Sequence, residues 1–287
     1  MNSSLKYFGL RTIILNCAIG LWGVACNNKE AGISAENESV TTIAAPTAIG
    51  YTVLKSISHD TAAFTQGLEV YNGALLESTG LVGQSTLRKL NATSGKIEKQ
   101  QSLANEIFAE GLTVFNDTLY QLSWQNHLVF MYDAKTFKPL GTLPWSGEGW
   151  GITNNDAELI ISVGSDKLYF VQPGTLKLNK VLSIRDNYGA VNNLNELEMV
   201  DGYIYANRWQ YDYILKIDPT SGMVVGIINM QDILQKHTKS DLSYLKSRGN
   251  TPNEAGAVLN GIAYDESRKI FYITGKLWPE IFEVKLN

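Results

Sequence analysis

A motif that returns five times constrains this chain more than any other feature. Gln66-Gly67-Leu68-Glu69-Val70, Glu110-Gly111-Leu112-Thr113-Val114, Trp150-Gly151-Ile152-Thr153, Asn195-Glu196-Leu197-Glu198 and Asn260-Gly261-Ile262-Ala263 begin 44, 40, 45 and 65 residues apart. A second series, of turn-forming residues, runs in register with it. Asn91-Ala92-Thr93-Ser94-Gly95-Lys96, Asp133-Ala134-Lys135-Thr136-Phe137-Lys138, Gln172-Pro173-Gly174-Thr175 and Asp218-Pro219-Thr220-Ser221-Gly222 step by 42, 39 and 46 residues. Two independent series sharing one period, with β-branched and aromatic strands between them, are what propeller blades produce.

Each unit reads as four strands. In the second, residues 111–114 are innermost, followed outward by 119–124, 127–132 and 139–143. The fifth unit runs out at its third strand, 281–286, where the chain stops, and residues 51–57 are left to supply the missing outer strand. The expectation is an all-β, five-bladed β-propeller closed by its N- and C-terminal strands, with no free sheet edge at the join. The long last spacing requires an insertion of about twenty residues. It falls between 229 and 259, where Asp232-Ile233-Leu234 and Leu242, Tyr244 and Leu245 predict one or two short helices before the last blade.

Composition narrows the function. With 287 residues, 44% of them hydrophobic, and a formal net charge of -4, the chain has material for a sizeable core and no electrostatic footprint for nucleic acid. Both cysteines lie near the N-terminus, Cys17 inside and Cys26 just after the nearly uncharged stretch Leu10 to Ala25, which Lys6 and Arg11 flank. That stretch reads as a secretory signal over residues 1–25, too short for a membrane span. Gly23-Val24-Ala25-Cys26 looks like a bacterial lipoprotein cleavage box, although Gly23 stands where leucine is usual. Lipidation of Cys26, a flexible tether over 26–48 and a propeller over 49–287 follow as expectations, with export to the periplasm or to a membrane surface of a bacterium. No cysteine follows Cys26, so the propeller is expected to be held by packing alone, without a disulfide; it is also expected to be a monomer.

Topology then locates chemistry. If the innermost strand of every blade runs from one face to the other, the first residue of each repeat and the end of each second strand share a face with the insertion. That face carries Gln66, Glu110, Trp150, Asn195 and Asn260, together with Trp124, Trp209, Lys276 and Trp278. A polar, indole-rich mouth over a channel is the default binding site. Glu110 is singular, since its four repeat equivalents are neutral; among indoles it would be desolvated and its pKa raised into the range of general acid/base work. The same residue also reads as a solvated rim glutamate or a salt-bridge partner of Lys276. The tryptophans read equally as blade packing, and Gln66, Asn195 and Asn260 as partners for backbone groups at strand ends. His59, His127 and His237 are scattered, with His59 and His237 expected on loops, and none has zinc-site spacing. Neither a phosphate-cradling loop nor a Gly-x-Ser-x-Gly elbow is present. From residues alone, three classes stand: an acid/base enzyme, a non-catalytic propeller binding peptides or glycans, and a metal-dependent hydrolase drawing on Glu110, Asn195 and Asn260 to hold calcium.

Six segments, in order, sharpen the choice. Phe64-Thr65-Gln66-Gly67-Leu68, Phe108-Ala109-Glu110-Gly111-Leu112, Gly149-Trp150-Gly151, Asn195-Glu196-Leu197-Glu198, Asn207-Arg208-Trp209-Gln210 and Gly275-Lys276-Leu277-Trp278-Pro279 together resemble the plant and bacterial glutaminyl cyclases over roughly Tyr51 to Leu286. The resemblance implies a five-bladed propeller that turns the N-terminal glutamine of peptides and proteins into pyroglutamate, releasing ammonia without a metal or cofactor. It implies that Glu110 is the acid/base carboxylate and that Gln66, Asn195 and Lys276 are polar pocket residues, with Lys276 assigned to catalysis beside Glu110. Phe64, Phe108, Trp124, Trp150 and Trp209 would be the aromatic walls.

Overall fold

The computed structural model describes residues 43–246 and 256–287; the expected signal segment, Cys26 and most of the tether lie outside them. Five antiparallel four-stranded sheets form the five blades. The first runs through Thr65–Tyr71, Ala74–Thr79, Thr86–Asn91 and Ile97–Ser102, and the second through Ala109–Phe115, Thr118–Ser123, Leu128–Asp133 and Pro139–Pro144. Ile152–Asn154, Leu159–Ser162, Lys167–Val171 and Leu178–Ser183 make the third; Leu194–Val200, Tyr203–Arg208, Tyr213–Ile217 and Val224–Asn229 make the fourth. At the outer edge of the fourth blade, Thr47–Ala48 add a short parallel pairing with Gly226 and Ile227.

The ring closes as the repeat count demands. Blade five takes Leu259–Asp265, Ile270–Gly275 and Glu280–Leu286 from the C-terminus, and its outer strand is Tyr51–Ser58, paired antiparallel from Tyr51 with Leu286 to Ser58 with Glu280. Strand chemistry follows position. Second strands such as Ala74–Thr79 are buried throughout, whereas the outer strand Pro139–Pro144 is mostly exposed. The apolar core is accordingly divided into layers between blades. Leu76 and Leu87 of blade one meet Leu112, Leu119 and Phe137 of blade two, and across the seam Ile57, Tyr272 and Ile281 of blade five meet Leu68, Leu75 and Leu90 of blade one.

The repeated glycine has a steric origin. A Cβ on Gly67 would lie 2.5 Å from the Leu112 nitrogen, one on Gly111 2.8 Å from the Ile152 nitrogen, and one on Gly151 2.0 Å from the Asn195 carbonyl oxygen. Successive inner strands touch backbone to backbone there, and no side chain fits. In blade four the position is Glu196, whose buried carboxylate accepts the Leu68 N–H at 3.2 Å and the Ile262 N–H at 2.9 Å. It thereby ties blade four to blades one and five.

The insertion contains the helical turns Ile233–His237 and Ser243–Lys246. Ile233, Leu234, Leu242, Tyr244 and Leu245 pack into the core layer that holds Leu277 and Trp278, and the Tyr244 hydroxyl donates to the Leu277 carbonyl at 2.5 Å. This part of the insertion braces the turn after residue 275. Gly151→Ala tests the close approach of inner strands: overpacking by a methyl group with only backbone to displace costs about 2 kcal/mol, and Tm in a thermal melt falls by roughly 4–8 °C.

Candidate active site

Four of the five inner strands carry a register break at the repeat motif. Pairing slips between Thr65 and Gly67, Ala109 and Leu112, Leu194 and Leu197, and Leu259 and Ile262. A bulge leaves an extra residue unpaired and redirects its side chain. Here the slipped residues include Gln66, Glu110 and Asn195. In the third blade the inner strand begins only at Ile152, and Trp150 occupies the loop before it, with its N–H bonded to the Ser162 carbonyl at 3.0 Å.

These side chains meet in one cavity of about 260 Å³, lined by Phe64, Gln66, Phe108, Glu110, Trp124, Trp150, Asn195, Trp209 and Lys276. All nine pocket residues that the family resemblance implies are there, and every blade contributes. The polar floor is buried (Glu110 and Lys276 5% exposed, Gln66 3%, Asn195 2%), whereas Trp124 and Trp209 at the lip are 36% and 37% exposed. The walls are built from edge-to-face rings: Phe64 on Phe108 at 6.2 Å, Phe108 on Trp124 at 5.6 Å, and Trp150 on Trp209 at 5.7 Å between centroids. Two rings rest on glycine seats, Phe108 against Gly80 and Trp150 against Gly164, where a Cβ would stand 2.5 and 2.6 Å from the ring. A larger cavity of about 720 Å³ beside the 144–149 loop is lined mainly by apolar and small residues, with His127, Glu148 and Tyr169 as its ionisable side chains.

Electrostatics separate Glu110 from an ordinary carboxylate. Burial pushes its pKa well above 4.5; the Lys276 charge pulls it down by less, and Glu148 adds to the rise. Burial likewise draws Lys276 down to about 8, against the attraction of Glu110. The interaction is coulombic, without a direct hydrogen bond, and the Lys276 ammonium lies 4.6 Å from the centroid of the Phe64 ring. Asn195 Oδ1 is buried without a hydrogen-bond partner, an acceptor aimed at nothing in the protein.

Two expected members of the mouth are elsewhere. Trp278 is buried in the core, its indole lying over Gly275 and its Nε1–H donating to the Ala257 carbonyl at 3.0 Å. Asn260 satisfies backbone, donating from Nδ2 to the Thr65 carbonyl at 3.0 Å. Conversely, Glu148 escaped the repeat pattern because it lies in a loop between blades. Its carboxylate accepts the Trp150 Nε1–H at 3.0 Å and the Gln125 Nε2–H at 2.9 Å, which holds it ionised next to the wall. Among the described residues, no three His, Cys, Asp or Glu side chains are grouped to hold a metal ion.

The fold and the site define an enzyme-like propeller with a desolvated carboxylate–ammonium pair under an aromatic mouth. The glutamine cyclotransferase family profile matches residues 25–286. A glutaminyl-peptide cyclotransferase of Arabidopsis thaliana is 36% identical over 238 residues, covering 82% of this chain and 71% of that protein. The crystal structure of Myxococcus xanthus glutaminyl cyclase superposes with a TM-score of 0.74 at 36% identity, over 84% of this chain and 98% of the other. The chain belongs to the glutamine cyclotransferase family and is an enzyme of the acyltransferase class.

Lys276→Met tests the coupling of the pair. Loss of the ammonium removes the influence that lowers Glu110, so the carboxyl ionises at still higher pH, read from its carboxyl 13C shift. An unmoved titration would show that the two groups do not sense each other.

Proposed function

We propose that this chain cyclises the N-terminal glutamine of peptides and proteins to pyroglutamate with release of ammonia, with Glu110 carrying the proton and without a metal. The observation that bears most weight is the buried Glu110 beside Lys276 at the floor of an indole-walled cavity in a member of the cyclotransferase family. The neutral α-amine of the substrate attacks its own side-chain amide carbon, and the cavity holds the two within reach of each other. A new C–N bond forms, and the amide oxygen takes up negative charge. Lys276, Gln66 and Asn195 are the candidates to stabilise that oxygen, while the unpaired Oδ1 of Asn195 also offers an acceptor to a substrate N–H. Glu110 takes the proton from the attacking nitrogen and delivers it to the departing one; the second C–N bond breaks and ammonia leaves. Phe64, Phe108, Trp124, Trp150 and Trp209 keep water from competing for the acyl carbon.

The leader fits delivery of such an enzyme outside the cytoplasm, with lipidation at Cys26 anchoring the monomeric propeller through the 26–48 tether.

Glu110→Gln removes the shuttle while preserving shape, so kcat for a Gln-initiated peptide in a coupled ammonia assay falls by about 10²–10⁴. Because burial penalises the charged carboxylate, the neutral isostere leaves Tm above neutral pH unchanged or raised; near wild-type turnover would overturn the assignment. Glu110 must be ionised to receive the proton, and its folded pKa is raised, so kcat/KM of the wild-type enzyme declines as pH falls through a value well above 4.5. Dialysis against a strong chelator leaves the rate unchanged, and loss of activity restored by a divalent cation would refute metal independence.

A further inference from the structure

Beneath the pocket, at the seam where the ring closes, lies a buried ionic cluster to which the proposed reaction assigns no part. His59, the first residue after the closing strand Tyr51–Ser58, is 8% exposed. Its Nε2 lies 2.8 Å from Glu77 Oε1 and its Nδ1 2.8 Å from the Trp278 carbonyl oxygen. Thr274 Oγ1 is 3.4 Å from the same Nδ1, but its own hydrogen goes to the Glu280 carbonyl at 2.9 Å, so it too faces the ring as an acceptor. A neutral imidazole has one donor and one acceptor nitrogen. Here both nitrogens meet acceptors, which the doubly protonated ring alone satisfies. Glu77 is fully buried and reinforced as an anion by the Thr65 hydroxyl at 2.8 Å and by Arg88 Nη1 3.5 Å from Oε2. Arg88 is in turn paired with Asp60 at 3.1 Å. These are the charged groups that face the imidazole. Glu280, on the adjoining strand, is turned to the Lys239 N–H and the Ser240 hydroxyl instead.

The cluster touches both sides of the pocket. From blade one, Thr65 immediately precedes Gln66, and the 59–63 segment leads into Phe64. From blade five, Trp278 lies two residues beyond Lys276. The backbone repeats the link: the His59 N–H donates to the Pro279 carbonyl at 2.8 Å and the Leu277 N–H to the Ala63 carbonyl at 2.7 Å. Leu277 itself has φ +62, a left-handed conformation unfavourable for its type, so the turn after Lys276 is held in place by its surroundings.

We infer that His59, as an imidazolium bridging Glu77 and the Trp278 carbonyl, is a positioning residue that fixes Lys276 of blade five against Gln66 and Phe64 of blade one. This rests on the proposed cyclisation for its kinetic consequence but not for its chemistry. Burial opposes charge on the ring, yet Glu77 outweighs it and His59 titrates above 6.5, while Glu77 titrates below 4.5 despite its own burial. The sign follows. The contribution of His59 is complete below pH 6.5 and is lost as pH rises through the folded value; that of Glu77 is complete above pH 4.5 and is lost as pH falls through its folded value.

Two measurements on the full chain decide it. In 15N-detected NMR at pH 6, both His59 nitrogens show imidazolium shifts; one pyridine-type nitrogen there would overturn the bridge, whether or not the enzyme cyclises glutamine. The second is the ratio of kcat for wild type to His59→Gln, in which the intrinsic titration of the substrate amine cancels. It is expected at about ten- to a hundredfold near pH 6–7 and to fall toward one as His59 loses its proton. A ratio constant with pH would reduce His59 to packing and overturn the positioning role. Should His59→Gln fail to fold, Arg88→Met serves: removing a cation that opposes the imidazolium moves the NMR titration of His59 upward. In that variant the high-pH decline of kcat relative to wild type must move with it, and a decline that stays in place would refute the role.

Discussion

The closeness of the inner strands around the channel governs everything else in this molecule. At Gly67, Gly111 and Gly151 one blade's backbone lies against the next with no room for a Cβ, and this sets how tightly the ring winds. The tolerance is so small that blade four, which carries Glu196 in the glycine's place, directs the side chain across the channel onto the N–H groups of Leu68 and Ile262. One carboxylate there replaces steric contact with hydrogen bonds to two other blades. Buried N–H groups at strand bulges need partners, and Glu196 supplies them where the ladder cannot.

That packing also produces the electrostatics of the pocket. The residues before Gly67, Gly111 and Glu196 sit on the bulges and are turned inward, so Gln66, Glu110 and Asn195 converge on a volume too small and too aromatic to hydrate them. Desolvation then raises Glu110 well above the usual carboxylate range and lowers Lys276 to about 8, narrowing the interval between the two. The aromatic walls do not create this environment alone; they cap a floor that the ring geometry has already dried. Glu148, pinned by Trp150 and Gln125, adds a negative charge that raises Glu110 further.

The ring was legible in the sequence because a steric demand repeated at each blade leaves a periodic mark. The glycine motif and the turn series showed the number of blades, the strand order and the closure of the last blade by residues 51–57. The same registration placed Glu110, Gln66 and Asn195 on one face, and the family motifs completed the aromatic set. What escaped was whatever the period does not encode. Trp278 stands at the end of a second strand like Trp124 and Trp209, but Gly275 lets its indole fold back into the core, and nothing at single-residue spacing predicts that choice. Asn260 shares the repeat position of Gln66 and Asn195 yet turns its Nδ2–H to the Thr65 carbonyl. Glu148 and His59 owe their surroundings to loops and to the seam, each of which occurs once. His59 lies on a loop, as its sequence position predicts; its burial among Glu77, Thr274 and Trp278 depends on contacts spanning up to 219 residues.

Sealing blade five with Tyr51–Ser58 joins the beginning of the propeller to its end, Tyr51 opposite Leu286. During synthesis, therefore, Tyr51–Ser58 waits without its partner until Glu280–Leu286 has been made. Long-range pairing of this kind is slow and leaves a β-edge open to other chains in the interval. Lys276 and its turn also follow the other four blades in synthesis, so the floor of the pocket is completed in the same step that shuts the ring. A partly made or C-terminally clipped copy therefore has both an open β-edge and an unfinished pocket floor.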